Sequence, residues 1–294
     1  MNKQTVALIG VGIMGRGIAK NLKKANCKLN LYTRSPSKIK ELADDNTKIC
    51  NSIEEAVKGS AIVILCLTED WVIREAFFKA NITQYKPKYI IDFGTTSPDL
   101  TLEMYRECNN KGIAFMDSPM TGSKNAAESG QIIFMVGCDD IQHIENCNFV
   151  YNACGKKVIL CGNVGTGQKA KIALNMVQAG ILQVYMEGMM ISEKSGIKKE
   201  VFFDVISNSG AKSGIADFKL NAILQRDFST HFALKNMNKD LNHAIKLALD
   251  NHVSLPLSFS LKQIYDMGLT RGLEDEDFCS LIKINEMLNR DLIQ

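Results

Sequence analysis

With 294 residues, 46% of them hydrophobic, the chain is long enough for two domains and a sizeable core. Lys and Arg (35) nearly balance Asp and Glu (32), and no long run of one sign occurs, so neither nucleic acid nor a membrane surface is expected as a partner. Nine cysteines, an odd number without a C-x-x-C pair, argue against a disulfide framework and read as reduced thiols of a cytoplasmic protein. Cys147, Cys154 and Cys161 are evenly spaced, but nothing else in that stretch resembles a metal site. Lys3 precedes an apolar run as in a signal peptide, yet glycines and Arg16 interrupt the run and no small-x-small cleavage site follows. The longest uncharged stretch, Ile172 to Met186, is too short to span a bilayer and contains Asn175, Gln178 and Gln183.

Thr5 to Ile9 is a short β-branched run, read as a buried strand. Gly10, Gly12 and Gly15 follow in the spacing G-x-G-x-x-G, and Met14, Ile18, Ala19 and Leu22 then recur at helical spacing. Strand, glycine turn and helix together make a dinucleotide site. Gly10 permits the tight turn, Gly12 lets backbone approach a pyrophosphate, and Gly15 lets the helix pack on the strand. Ile13 and Met14 open the helix whose free N–H groups would meet the phosphates. A Gly-rich turn that binds nothing is the alternative.

Lys28 to Tyr32 reads as the second strand, and Ser37 to Asp44 as a helix after Pro36. An acid at the end of the second strand would accept from the ribose 2′-OH of NAD. This chain has Thr33, Arg34 and Ser35 there, with Lys38 close behind, a set suited to the 2′-phosphate of NADPH. A solvated surface arginine is the plainer alternative. Ala61 to Leu67 and Tyr89 to Phe93 are continuous apolar runs, as in parallel strands buried on both faces. Ligands bind beyond the C-terminal ends of such strands, which makes Thr68 and Thr95 candidates to line the cofactor. Either could instead cap a helix, and Thr96 or Ser97 before Pro98 is a start signal. Ile113 to Met116 is a further strand leading into a polar loop from Asp117 to Lys124; Gln131 to Val136 and Lys157 to Leu160 close a mixed sheet.

From Gly165 the pattern turns helical. A long helix from Ala170 to Met190 is apolar nearly all round and is expected to be central and buried. Lys171 sits inside it, with Asn175 four residues on and on the same face. A buried ammonium must reach a cleft or a partner. Amphipathic helices follow at Glu200 to Ser207, Lys212 to Leu224, Leu234 to Asn251 and Ser258 to Leu269, the last with a C-cap at Gly268, and a final helix runs from Asp277 to Leu292. The expected architecture is an α/β Rossmann-type N-terminal domain over residues 1–162 and an all-α C-terminal domain over 163–294, joined by the long central helix.

Four ordered motifs carry a resemblance over essentially the whole chain: Gly10 to Gly15, the loop from Asp117 to Ser123, Gly162-x-x-Gly165-x-Gly167-x-x-x-Lys171-x-x-x-Asn175, and Lys239-Asp240-Leu241. They resemble those of the β-hydroxyacid dehydrogenase family, which includes 3-hydroxyisobutyrate dehydrogenase and tartronate semialdehyde reductase. Gly122-Ser123-Lys124 and Phe232-Ala233-Leu234-Lys235 are similar to the glyoxylate and succinic semialdehyde reductases within it. Met120-Thr121 and Asn125-Ala126 depart from the family's usual Val-Ser and Lys-Pro.

The resemblance implies NADPH-dependent reduction of a small aldehyde-acid. Lys171 would be catalytic, with Asn175 orienting it or the substrate. Thr121, Gly122 and Ser123 would bind the substrate carboxylate, Phe232 would wall the pocket, and Asp240 would contribute to substrate binding. Lys239 would close over cofactor or substrate, although a solvated lysine on its helix is the simpler reading. Oxidation of 3-hydroxyisobutyrate is the alternative within enzymes. Imine reductases generally lack the lysine, and 6-phosphogluconate dehydrogenase has a longer chain and a His-Asn pair where Leu174-Asn175 stand here. A cofactor-binding scaffold without catalysis is the alternative of another class. The apolar central helix suggests a homodimer or homotetramer.

Overall fold

The computed structural model describes residues 4–290. They form two compact units, the first ending at Lys171 and the second beginning at Ile172.

The first unit alternates strand and helix as β1 (Thr5–Ile9), α1 (Ile13–Lys24), β2 (Lys28–Tyr32), β3 (Thr47–Ile49), α2 (Ile53–Val57), β4 (Ile62–Leu65) and α3 (Asp70–Arg74). It continues through β5 (Tyr89–Asp92), α4 (Pro98–Asn110), β6 (Ala114–Asp117), β7 (Met120–Thr121), α5 (Lys124–Glu128), β8 (Ile132–Gly137), α6 (Ile141–Asn146), α7 (Asn148–Cys154) and β9 (Gly155–Gly162). Strands run parallel in the order β3-β2-β1-β4-β5-β6; β8 then pairs antiparallel with β6 and β7 and parallel with β9. From β1 the chain winds outward first through β2 and β3, then on the other side through β4, β5 and β6. That reversal is where open α/β sheets bind ligands, at the C-terminal strand ends.

Alternate residues of β1 feed opposite faces, as the pleat requires. Val6 and Leu8 join Ile18 and Leu22 of α1 in one core, while Ala7 and Ile9 join Leu100 and Met104 of α4 in another. Both faces are covered, which is why β4 reads as an unbroken apolar run.

The stretch expected as a helix from Ser37 to Asp44 is a 3-10 helix over Pro36–Leu42. Its buried residues, Ile39 and Leu42, are three apart, the spacing of one 3-10 turn. The three-residue β3 escapes a periodicity reading because it is too short to alternate. The loop from Asp117 to Lys124 is partly regular: Met120 and Thr121 form β7, opposite Phe134 and Ile133 of β8.

The second unit is helical: the remainder of α8 (Thr166–Lys194), α9 (Lys199–Ser207), α10 (Gly214–Leu224), α11 (Leu234–Asp250), α12 (Pro256–Thr270) and α13 (Ile282–Asn289). Leu182, Met186, Leu220, Leu234, Leu241, Tyr265 and Leu281 fill its core. The expectation that α8 is buried all round is corrected: Val177, Val184 and Ile191 are half or more exposed. Their seven-residue spacing puts them on one stripe, opposite the stripe that enters the core. Gly268 is not a C-cap but an interior residue of α12, where a Cβ would come within 2.8 Å of Leu281 and 3.1 Å of Leu234. The final helix is α13, entered through a 3-10 turn at Phe278–Leu281; Leu292 lies outside the described residues.

The compact units divide inside α8, whose first turn is held by the first unit. Asp117, at the end of β6, accepts from the backbone N–H of Gly165 at 2.7 Å and of Gln168 at 2.8 Å. No helix among the described residues is long and apolar enough to cross a membrane.

Candidate active site

Two of the three glycines after β1 are required by the protein itself. Gly10 has φ +102°, and a Cβ there would stand 2.3 Å from the carbonyl oxygen of Cys66. A Cβ on Gly15 would stand 2.1 Å from the carbonyl oxygen of Gly10. Gly12, the N-cap of α1, would place its Cβ in open space, with no protein atom within 4 Å. No packing within the chain accounts for glycine there. No side chain caps α1 and no acid lies in its first turn, so the N–H groups and positive dipole end remain available to an anion. Ile13 is half exposed beside them and Met14 partly buried.

The N–H of Gly10 donates to the carbonyl of Tyr32, the last residue of β2, at 2.9 Å. Thr33, Arg34 and Ser35 follow immediately. Thr33 is half-buried, and Arg34, Ser35 and Lys38 are exposed. This edge presents a guanidinium, an ammonium and two hydroxyls with no carboxylate in the segment, a donor set that fits a 2′-phosphate. The glycine turn and this edge together fit a phosphorylated dinucleotide.

The ends of β4 and β5 abut: a Cβ on Gly94 would lie 2.4 Å from the carbonyl oxygen of Leu67. Thr68 and Thr95 are the next residues of the two loops, Thr68 exposed and Thr95 half-buried. Ser97, rather than Thr95 or Thr96, caps α4, accepting from the N–H of Leu100. Beneath Thr95 lies a network that periodicity did not reveal. Asp92, fully buried at the end of β5, accepts from Thr96 Oγ1 at 2.5 Å, from the N–H of Gly94 at 2.9 Å and from Gln168 Nε2 at 3.2 Å. Burial pushes its carboxyl up to about 7, against the pull of the Thr96 and Gly94 hydrogen bonds. Burial likewise pushes Asp117 up to about 6, against the N–H groups at the start of α8. The one signal for Asp92 was an acid ending an apolar strand. Gln168 stands in the motif of Lys171, three residues before it.

In the loop of the second motif, Thr121 belongs to β7, Gly122 has φ +140°, and Ser123 caps α5 by accepting from the N–H of Ala126 at 3.4 Å. The Ser123 hydroxyl hydrogen remains able to donate elsewhere. The loop is anchored on the dinucleotide helix: Asn21 Nδ2 of α1 donates to the carbonyl of Ala127 at 2.7 Å, and a Cβ on Gly17 would stand 2.6 Å from the Ala127 carbonyl carbon.

Lys171 lies in the second turn of α8 and is 8% exposed. One turn on, Asn175 donates through Nδ2 to Asp240 Oδ2 at 2.5 Å. The other Asp240 oxygen lies 3.1 Å from Lys239 Nζ. The structure thus brings Asn175, Lys239 and Asp240 into one cluster. Phe232 lies on the loop before α11, half-buried and edge-on to Phe278 at 6.1 Å between centroids. The N–H groups of His231 and Phe232 donate to Asp277, which is buried against Lys219. His231 is exposed and edge-on to Phe218. Among the described residues no group of three or more His, Cys, Asp or Glu side chains could hold a metal.

Two family models cover nearly the whole chain. Residues 5–162 match the NAD binding domain of 6-phosphogluconate dehydrogenase, and residues 165–285 match the domain described as NAD-binding of NADP-dependent 3-hydroxyisobutyrate dehydrogenase. A glyoxylate/succinic semialdehyde reductase of Arabidopsis thaliana is 27% identical over 95% of this chain and 97% of its own. The mitochondrial 3-hydroxyisobutyrate dehydrogenase of Mus musculus is 29% identical over 96% of this chain and 87% of its own. The solved 3-hydroxyisobutyrate dehydrogenase of Mycobacterium tuberculosis with L-serine superposes with a TM-score of 0.86 at 26% identity, covering 96% of this chain and 99% of that one.

Proposed function

The chain belongs to the β-hydroxyacid dehydrogenase family, and on that premise we propose that it reduces a small aldehyde-acid, of the succinic semialdehyde or glyoxylate kind, to the hydroxyacid. It is an oxidoreductase of the alcohol–aldehyde class with NADP(H) as cofactor. The observation that carries the reading is Lys171, a buried ammonium on an apolar helix whose first turn is fixed by Asp117.

Bound NADPH supplies the hydride. Gly10, Gly12, Ile13, Met14 and Gly15 hold its pyrophosphate, Thr33, Arg34, Ser35 and Lys38 its 2′-phosphate, and Thr68 and Thr95 line its path along the strand ends. Thr121, Gly122 and Ser123 offer hydroxyl and N–H donors to the substrate carboxylate. Negative charge then grows on the carbonyl oxygen, where Lys171 stabilises it and delivers the proton. In the second unit, Asn175, Asp240 and Phe232 are assigned to the substrate and Lys239 to the cofactor. The reverse reaction on a β-hydroxyacid is the second reading, favoured by comparable identity to relatives of both names.

The test is single-turnover NADPH oxidation by Lys171→Met with succinic semialdehyde and glyoxylate, beside a cofactor titration. A catalytic lysine predicts intact NADPH binding and a rate lower by on the order of 10²–10⁴. A mutant within threefold of the parent rate ends the assignment, and a parent that turns over no aldehyde-acid or hydroxyacid points to a non-catalytic scaffold.

An odd number of cysteines without a C-x-x-C pair supports a reducing, cytoplasmic setting, which thiol labelling in intact cells would check. The stripe of Val177, Val184 and Ile191 supports a homodimer or homotetramer, and light scattering at the mass of one chain would end that part of the proposal.

A further inference from the structure

Gln168 is fully buried on α8. Its Oε1 accepts from the N–H of Thr96 at 3.0 Å, and its Nε2 donates to the carbonyl of Gly94 at 2.9 Å and to Asp92 Oδ2 at 3.2 Å. Both amide hydrogens are therefore engaged, and every one of these partners lies at the end of β5 or in the loop beyond it. Gly94 and Thr96 flank Thr95. Gln168 and Lys171 are three positions apart on one helix, adjacent along its surface. Asp117 also fixes the start of α8, but through backbone N–H groups and from the end of β6.

We propose that Gln168 is a positioning residue for hydride transfer: one amide sets the separation between the Gly94–Thr96 loop and the helical turn that carries Lys171. The inference rests on the reading of Lys171 as proton donor. With the amide gone, Asp92 still holds the loop and Asp117 the helix start, but the direct link between loop and helix is lost. A misplacement of about 1 Å can cost on the order of 100-fold in rate, although no ligand contact has been removed. The amide is also the neutral choice. A carboxyl in its place would face Asp92 Oδ2 at the same separation, and two carboxylates that close cannot both ionise without strong repulsion. Gln168→Glu therefore keeps the contact to Asp92 while the pair holds a proton and loses it once both groups ionise, and the Gly94 carbonyl loses its donor in either state.

The experiment compares Gln168→Met and Gln168→Glu with the parent chain, reading kcat, KM for aldehyde-acid and NADPH affinity between about pH 5.5 and 8.5. Thr101→Val, which removes a bond to the Ser97 carbonyl within α4, serves as a stability control. Gln168→Met is expected to lower kcat by about 10- to 100-fold with NADPH affinity within threefold of the parent. Gln168→Glu is expected to regain rate toward low pH, with an inflection absent from the parent profile. Thr101→Val is expected to lower Tm alone. A folded Gln168→Met with kcat within threefold of the parent overturns the proposal, as does a Gln168→Glu profile parallel to the parent's. If Gln168→Met does not fold, the Gln168→Glu profile decides. Lys171→Met, run alongside, separates the two readings: rate retained there ends the catalytic assignment, whereas rate lost there and retained in Gln168→Met ends the positioning role alone.

Discussion

Each unit buries a carboxylate at a junction of its chain, and the two do so with different chemistry. In the first, Asp92 and Asp117 meet neutral donors: an amide, a hydroxyl and backbone N–H groups. In the second, Asp277 takes both contacts from Lys219 Nζ, at 2.7 and 2.8 Å, besides the N–H groups of His231, Phe232 and Cys279. Lys219 also lies over the rings of Phe278 and Phe218, at 4.7 and 5.0 Å from their centroids. Neutral partners leave a buried acid free to hold a proton near pH 7, so that region responds to pH. An ionic partner makes the junction depend on one cation. The pH-responsive arrangement stands where α8 begins; the ionic one ties the segment before α11 to the turn before α13.

The strongest way to break this comparison is to take away the cation. Lys219→Met is expected to cost about 3–5 kcal/mol in chemical denaturation, because Asp277 is then buried without a counter-charge. A loss below about 1 kcal/mol would show that its N–H donors suffice and that the two junctions do not differ in kind. A smaller effect is expected from charge at the surface of the first unit. Arg34→Glu should reverse a preference for NADPH over NADH, a change of at least about tenfold or ~1.4 kcal/mol, by removing a charge-assisted contact and adding repulsion. Equal KM values for both cofactors in the parent would remove Arg34 from the comparison.

A further difference is the pH response itself. The folded-state value of Asp92, pushed up to about 7, lies above the unfolded value of ~3.9. Between these values the native state binds the proton that the unfolded state has released, so stability falls as pH rises through this window and levels off above it. Asp117, at about 6, acts in the same direction over a narrower window. Melting temperature should therefore decline from about pH 4.5 to 7.5 and decline less in Asp92→Asn. Parallel curves for the two proteins would mean that Asp92 carries no such linkage.

Much of this was readable in the chain. β1, β4 and β5 are apolar because both faces are covered, and Lys171 with Asn175 stands out because polar groups on an apolar helix need a reason. What escaped reading depends on partners distant in sequence. Gln168 is an unremarked neighbour of Lys171 until the end of β5 is brought against it. Lys219 sits in an amphipathic pattern that reads as solvated, and Asp277 reads as an ordinary helix start; only the packed core makes them a buried pair. The helix expected after Pro36 failed for a local reason, since three- and four-residue spacings are indistinguishable in so short a segment. The grouping of Asn175 with Asp240 and Lys239 joins two of the four motifs, though spacing alone gave no hint of which residues touch.

The glycine turn has a consequence for selection. A library of substitutions sorted for folded, abundant protein would discard changes at Gly10 and Gly15, where a methyl group collides with main chain. It would keep changes at Gly12, where the same methyl meets nothing. A second sort for turnover would then discard what the first had kept. Abundance alone would thus score Gly12 as a freely replaceable surface position. The disagreement between the two sorts would map, without any bound ligand in view, the residues this chain holds for its cofactor rather than for itself.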